Sequence, residues 1–186
     1  PQSTQTISSG TSIAAYFVLI LLLRIMRIVS GIAKGRKILS PLAQDVRPTK
    51  DRVREAIFNS LKSFELIDGR HFVDLFAGSG ALGIEALSRG AERVTFVDHQ
   101  KACIDIIRTN VENLGFGELA EVRHADYLQE LQNVSKGDVV LLDPPYDFGD
   151  WELLLGSIKS ETVVIESNQE IVLSGEWKQI KSKRYG

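Results

Sequence analysis

Four short segments carry acids spaced along the chain, each following an apolar run. They are Asp74-Leu75-Phe76-Ala77-Gly78-Ser79-Gly80, Asp98-His99, Asp126-Tyr127 and Asp143-Pro144-Pro145-Tyr146. One acid in a loop usually caps a helix or lies in a solvated turn. Four at successive strand ends suit a ligand site at the carboxyl edge of a parallel sheet. Gly78-Ser79-Gly80-Ala81-Leu82-Gly83 fits the dinucleotide fingerprint, and Asp98 stands where a ribose-binding acid belongs. A dinucleotide, however, lays its pyrophosphate on the helix N-terminus at this turn, and Asp74 would repel it. S-adenosylmethionine has no phosphate; its ammonium and sulfonium charges suit an acid at this place. On that reading Asp98 holds the ribose hydroxyls and Asp126 accepts from the adenine amino group. Phe76, Ala77, Gly78, Gly80, His99 and Tyr127 flank these acids and are expected to line the same site. A tight strand–helix turn without a ligand is the plainer account of the glycines alone.

Asp143-Pro144-Pro145-Tyr146 is the most specific motif. Consecutive prolines have fixed φ and donate no backbone hydrogen bond, so the turn is stiff and presents acceptors. It suits an amino group on an aromatic ring: Asp143 and the Pro144 carbonyl accept its hydrogens, and Tyr146 offers a stacking surface worth about 1–3 kcal/mol per base in known cases. A Pro-Pro turn also ends strands without any ligand. The remaining reactive residues point to packing. His71, His99 and His124 have no ligand spacing, and no metal site is expected. Cys103 lies on an apolar helical stripe, and Trp151 and Trp177 read as packing or surface anchors.

The elements that must position these residues alternate. Ile28–Ser30 and Lys37–Leu39 read as a short hairpin around Gly31 and Gly35. Thr49 is a helix cap, and Val53, Ala56, Ile57, Leu61 and Phe64 give residues 50–64 one apolar stripe that leaves Lys50, Arg52 and Arg54 outside it. Strands are expected at 71–76, 93–97, 120–124, 139–142, 162–166 and 178–182. Helices are expected at 81–89, 101–114 (with Cys103, Ile106, Ile107, Val111 and Leu114 on one face), 127–132 and 151–158. This pattern predicts a doubly wound, mostly parallel α/β sheet with a small N-terminal hairpin and helix extension.

The chain has 186 residues, 44% hydrophobic and 25% charged, enough for a core without disulfides. Its one cysteine excludes a disulfide framework, a thiolate zinc finger and an iron–sulfur cluster, and fits a reducing compartment such as the cytoplasm. The net charge of −2 conceals an asymmetry: residues 26–54 carry +6 and residues 55–186 carry −9. A basic arm on an acidic body suggests a polyanionic partner, with Arg27, Lys34, Arg36, Lys37, Arg47, Lys50, Arg52 and Arg54 as candidate phosphate contacts. A solvated face is the alternative. Ile13–Leu23 is an apolar run too short to span a bilayer, which takes about 20 residues. It has no basic residue before it to make a secretory signal. With Met26 the only methionine, residues 1–25 read as a segment upstream of the natural start or a cloning remnant, and no membrane association is expected.

Together, Asp74–Gly80 and Asp143–Tyr146 resemble a class I S-adenosylmethionine-dependent amino-methyltransferase. Arg47-Pro48-Thr49-Lys50-Asp51-Arg52-Val53-Arg54-Glu55-Ala56-Ile57-Phe58-Asn59 is more particular. With Met26-Arg27-Ile28-Val29-Ser30-Gly31 and Gly35-Arg36-Lys37, it makes residues 26–186 resemble the RsmD family. That resemblance implies methyl transfer to the exocyclic N2 of a guanine in 16S ribosomal RNA, free or within a small-subunit particle, by a monomeric enzyme. It assigns Asp98, Asp126 and the Gly78 loop to the cofactor and Asp143–Tyr146 to the base. It divides the chain into a non-family segment 1–25, a basic hairpin and helix at 26–64, and a methyltransferase domain at 65–186. The family continues beyond the turn at Arg184-Tyr185-Gly186 into an antiparallel strand, so a sheet lacking that strand is expected. An adenine-N6 DNA methyltransferase shares the Asp-Pro-Pro-Tyr turn but usually needs a recognition insertion. A nicotinamide oxidoreductase is opposed by Asp74 and by the lack of a second domain. A non-catalytic RNA-binding module leaves the Pro-Pro turn unexplained.

Overall fold

The computed structural model describes residues 23–41, 51–173, 175 and 177–182. The chain opens with an antiparallel hairpin, β1 (Leu23–Arg27) and β2 (Lys37–Pro41), in register from Leu23 opposite Pro41 to Arg27 opposite Lys37. The first strand therefore lies earlier than the expected Ile28–Ser30, and begins three residues ahead of Met26. The reason is a change of partner. Ile28 N–H still donates to Arg36 O at 3.0 Å. The Val29 and Ser30 amides turn instead to the carboxylate of Glu85, at 2.8 and 2.9 Å. The proposed cap Thr49 lies outside the described residues.

Helix α1 (Asp51–Ser63) buries Arg54, Phe58 and Leu61. The stripe expected from hydrophobicity alone is thus rotated: Phe64 is largely exposed and Arg54 is inside. Burial of that charge is tolerable because Arg54 donates to Arg27 O at 2.7 Å and pairs with Asp51 at 2.8 Å. Alongside, the Arg89 guanidinium lies 5.4 Å over the Phe58 ring.

Five parallel strands follow: β3 (His71–Asp74), β4 (Arg93–Asp98), β5 (Ala120–His124), β6 (Val139–Leu142) and β7 (Thr162–Ile165), in the spatial order β5-β4-β3-β6-β7. Helices α2 (Ala81–Ser88), α3 (Lys101–Leu114), α4 (Tyr127–Glu130) and α5 (Trp151–Ser157) connect them. Successive strand residues face opposite ways. Phe72, Phe96, Val139 and Leu141 join one core with α1, α2, α3 and the hairpin. Val73, Val97, Val140 and Leu142 join a second with Leu154, Leu155 and Ile158. Because β3 feeds β4 on one side and pairs with β6 on the other, a crevice opens beyond its carboxyl end. On α3 the buried face takes Ile104 and Asn110, with Ile106 only half-buried. The strand expected at Lys178–Ser182 is absent: the segment is irregular and Ile180 is 81% exposed. Among the described residues β7 pairs only with β6, so this stretch has no ladder to join. Trp177 anchors it, donating to Leu155 O at 2.9 Å.

Candidate active site

The glycine loop is shaped by what surrounds it. Past β3, Leu75 N–H donates to Leu141 O and Ala77 N–H to Val97 O, so the loop spans both neighbouring strands. Gly78 and Gly80 then adopt φ of 53° and 78°, a left-handed conformation that glycine takes without strain. A Cβ on Gly83 would stand 2.3 Å from the Phe96 ring, so α2 lies unusually close to β4 and its N-terminus is drawn down to the crevice.

Two of the expected acids bond this loop or the helix it opens, and a third follows β5. Asp98 is buried at the end of β4; its two oxygens accept from Gly78 N–H and Gln100 N–H, each at 2.8 Å. A carboxylate oxygen has two acceptor sites, so each retains capacity for a ligand hydroxyl. Asp74 is 1% exposed. Its Oδ2 accepts from Gly83 N–H at 3.1 Å, while the buried Oδ1 has no hydrogen-bond partner among the described residues. Burial pushes the Asp74 carboxyl up to about 7; the Gly83 amide opposes this and the Asp98 charge adds to it. A buried, unmatched carboxylate oxygen favours a cationic ligand and disfavours a phosphate. Asp126 is exposed and caps α4, accepting from Leu128 N–H at 2.9 Å.

The fourth acid hangs from the adjacent strand. Asp74 is in register with Leu141, and Asp143 follows the end of β6, so the turn faces the same crevice. Asp143 is half-buried, Pro144 buried, Pro145 exposed and Tyr146 50% exposed. Phe148, which the sequence reading missed, holds this turn down. Its N–H donates to Pro145 O at 3.0 Å. Its ring meets Phe76 at 5.4 Å, Tyr127 at 5.6 Å and Trp151 at 5.0 Å, all three edge-on. Phe76 and Tyr127 themselves lie 5.0 Å apart, tilted by 37°. One aromatic cluster thus ties the turn to the ends of β3 and β5; the signal available was an aromatic two residues past Tyr146. His99 is exposed, its Nδ1 3.8 Å from Asp98. Its carbonyl faces His124 Nε2 at 2.9 Å. His71 lies at the opposite edge of the sheet, between Asp138 and Thr95.

The basic arm divides. Arg27, Lys34, Lys37 and Arg52 are exposed. Arg36 holds the carboxyl end of α3, donating to the carbonyls of Asn113 and, at 3.0 Å, Leu114, a favourable place for a cation. Arg54 is buried beneath the hairpin, off the surface where the sequence put it. Arg47 and Lys50 lie outside the described residues.

Residues 26–186 match the family model described as "Conserved hypothetical protein 95". The chain belongs to this family, the RsmD family. Ribosomal RNA small subunit methyltransferase D of Haemophilus influenzae is 34% identical over 174 residues, 87% of this chain and 89% of that protein. The Escherichia coli K12 protein of the same name is 38% identical over 125 residues, 67% and 62% of the two chains. Among solved structures, an Escherichia coli protein provisionally designated a methyltransferase superimposes with a TM-score of 0.75 at 31% identity. It covers 88% of this chain and 93% of its own. The family's fold is that of class I methyltransferases, as the strand order and crevice imply. The match starts at Met26, so the first three residues of β1 lie ahead of it. Among the described residues no helix is long and apolar enough to cross a membrane, and no group of three or more His, Cys, Asp or Glu could hold a metal ion.

Proposed function

We propose that this protein transfers a methyl group from S-adenosylmethionine to the exocyclic N2 amino group of a guanine in small-subunit ribosomal RNA. The observation that carries the reading is the pairing across one crevice. A buried acid with an unmatched oxygen stands at the end of β3, and an acceptor-rich Asp-Pro-Pro-Tyr turn stands at the end of β6, its neighbour. Relatives named as ribosomal RNA small subunit methyltransferases support the choice of RNA. The exposed cations Arg27, Lys34, Lys37 and Arg52 suit its phosphates.

The residues fit the cofactor. Asp74 suits its ammonium, Asp98 its ribose hydroxyls, and Asp126 its adenine amino group through acceptor capacity not used in capping α4. When bound, S-adenosylmethionine supplies a methyl group made electrophilic by its sulfonium sulfur. The protein's task is then positioning. A guanine amino group is a poor nucleophile because its lone pair is delocalised into the ring. Asp143 and the Pro144 carbonyl would accept its two hydrogens, orienting the nitrogen and stabilising the positive charge it gains as the methyl–sulfur bond breaks and the N–C bond forms. Asp143 then takes the proton that nitrogen gives up. Tyr146, half exposed at the rim, stacks on the base.

The test is incubation with tritiated S-adenosylmethionine and unmodified small subunits, or their RNA alone, followed by nucleoside analysis. N2-methylguanosine is expected; N6-methyladenosine, or no incorporation, overturns the assignment. Asp143→Asn keeps the shape and removes the charge. It should lower kcat on the order of 10²-fold, the scale of losing one preorganised electrostatic contact, with little change in cofactor affinity.

A further inference from the structure

Asn110 is a polar residue at 2% exposure on a buried face of α3 shared with Cys103, Ile104, Ile107, Val111 and Leu114. Such a group is costly unless matched, and it is matched in two directions. Its Oδ1 accepts from Leu39 N–H at 2.8 Å and its Nδ2 donates to Leu39 O at 2.8 Å, as a pairing strand would. The same Nδ2 donates to Ser79 O at 3.0 Å, in the middle of the glycine loop. A second link joins the same places: the Ser79 hydroxyl lies 3.8 Å from the sulfur of Met26, on β1. Both strands of the hairpin therefore reach Ser79. Their outward neighbours are basic, since Arg27 follows Met26, Lys37 precedes the buried Ile38, and the two face each other across the hairpin.

We propose that Asn110 is a positioning residue that makes the shape of the cofactor loop depend on the seating of the hairpin. RNA held by the hairpin and S-adenosylmethionine held by the loop then strengthen each other's binding. The proposal rests on the functional reading above. A phosphate gripped by Arg27 is one residue from Met26, which touches Ser79, and one gripped by Lys37 is two residues from Leu39, which reaches Ser79 through Asn110. Coupling must be reciprocal, each ligand raising the affinity of the other by the same factor.

The test is calorimetric titration of S-adenosylmethionine into the full chain, with and without a transcript of unmodified small-subunit RNA. The converse RNA titration checks reciprocity. Asn110→Asp is nearly isosteric, keeps an acceptor for Leu39 N–H and loses both donations. Met26→Ala cuts the second link from the hairpin side. Circular dichroism at the titration temperature establishes that each variant is folded. In the wild type, RNA should tighten the cofactor about fivefold or more, the lower end of typical coupling. Asn110→Asp should weaken the cofactor about tenfold and bring the coupling factor to near one, and Met26→Ala should reduce the factor. A wild-type factor of one, or a folded Asn110→Asp with wild-type affinity and coupling, overturns the proposal while leaving the functional reading intact. Wild-type protein that binds no S-adenosylmethionine overturns both. If Asn110→Asp does not fold, Met26→Ala decides: an unchanged factor overturns the proposal.

Discussion

Asp74 should make cofactor binding depend on pH in a way that counts protons. Burial raises its carboxyl to about 7, so in the free protein it is half protonated at neutral pH. An ammonium ion pairs with the ionised form only. The competent fraction is about nine-tenths at pH 8 and about one-tenth at pH 6, so the apparent affinity should fall about tenfold between them, and roughly tenfold per unit below that. At pH 7, binding should release about half a proton, measured from binding enthalpies in buffers of different ionisation enthalpy. The same group sets a stability signature. Its folded pKa lies above the unfolded value of 3.8, so the unfolded state ionises first, and native stability is lost as pH rises from about 4 to 7. The loss has an upper value of roughly 4 kcal/mol at 1.36 kcal/mol per unit. Asp74→Asn should therefore stabilise the free protein more at pH 8 than at pH 5, while its weakened cofactor affinity becomes flat with pH. Wild-type affinity constant from pH 6 to 8, with no proton release, would refute the assignment of the ammonium to Asp74.

Three further outcomes test the packing that supports the site. Gly31 has φ of 84°, and a Cβ there would stand 1.8 Å from Ser88 O. Gly31→Ala should thus unseat the hairpin, read as faster amide exchange at Ile32, whose N–H donates to Ser88 O at 2.7 Å; unchanged exchange would show that the turn can yield. Glu85 is fully buried and accepts from Val29 N–H, Ser30 N–H and, at 2.7 Å, Arg89 Nε. Glu85→Ala strands the buried Arg89 charge and should cost about 3–5 kcal/mol in urea unfolding; a loss under about 1 kcal/mol would contradict that pairing. The Cys103 thiol is buried and pushed up to about 12 by that burial and by the nearby Asp98 charge. It should resist alkylation at pH 8 until the protein is denatured, and rapid labelling of native protein would count against its burial.

The sequence by itself determined the succession of strands and helices along the chain, the glycine turn after β3 and the four acids at the carboxyl edge. These depend on local chemistry: apolar periodicity selects the element, glycine permits the turn, and proline stiffens it. Parallel topology then carries the acids to one side of the sheet without further instruction. What only the tertiary structure decided was the fate of polar groups whose partners are remote in sequence. Arg54 reads as a surface cation until Arg27, 27 residues earlier, supplies a carbonyl that lets it be buried. Asn110 interrupts an apolar stripe until Leu39, 71 residues away, presents a strand edge to it. Glu85 ends β1 early by taking amides some 55 residues upstream. Lys178–Ser182 is expected as a strand yet forms none, because a strand exists only where another offers its ladder. A buried polar group must be matched, and local spacing cannot say which distant group will match it.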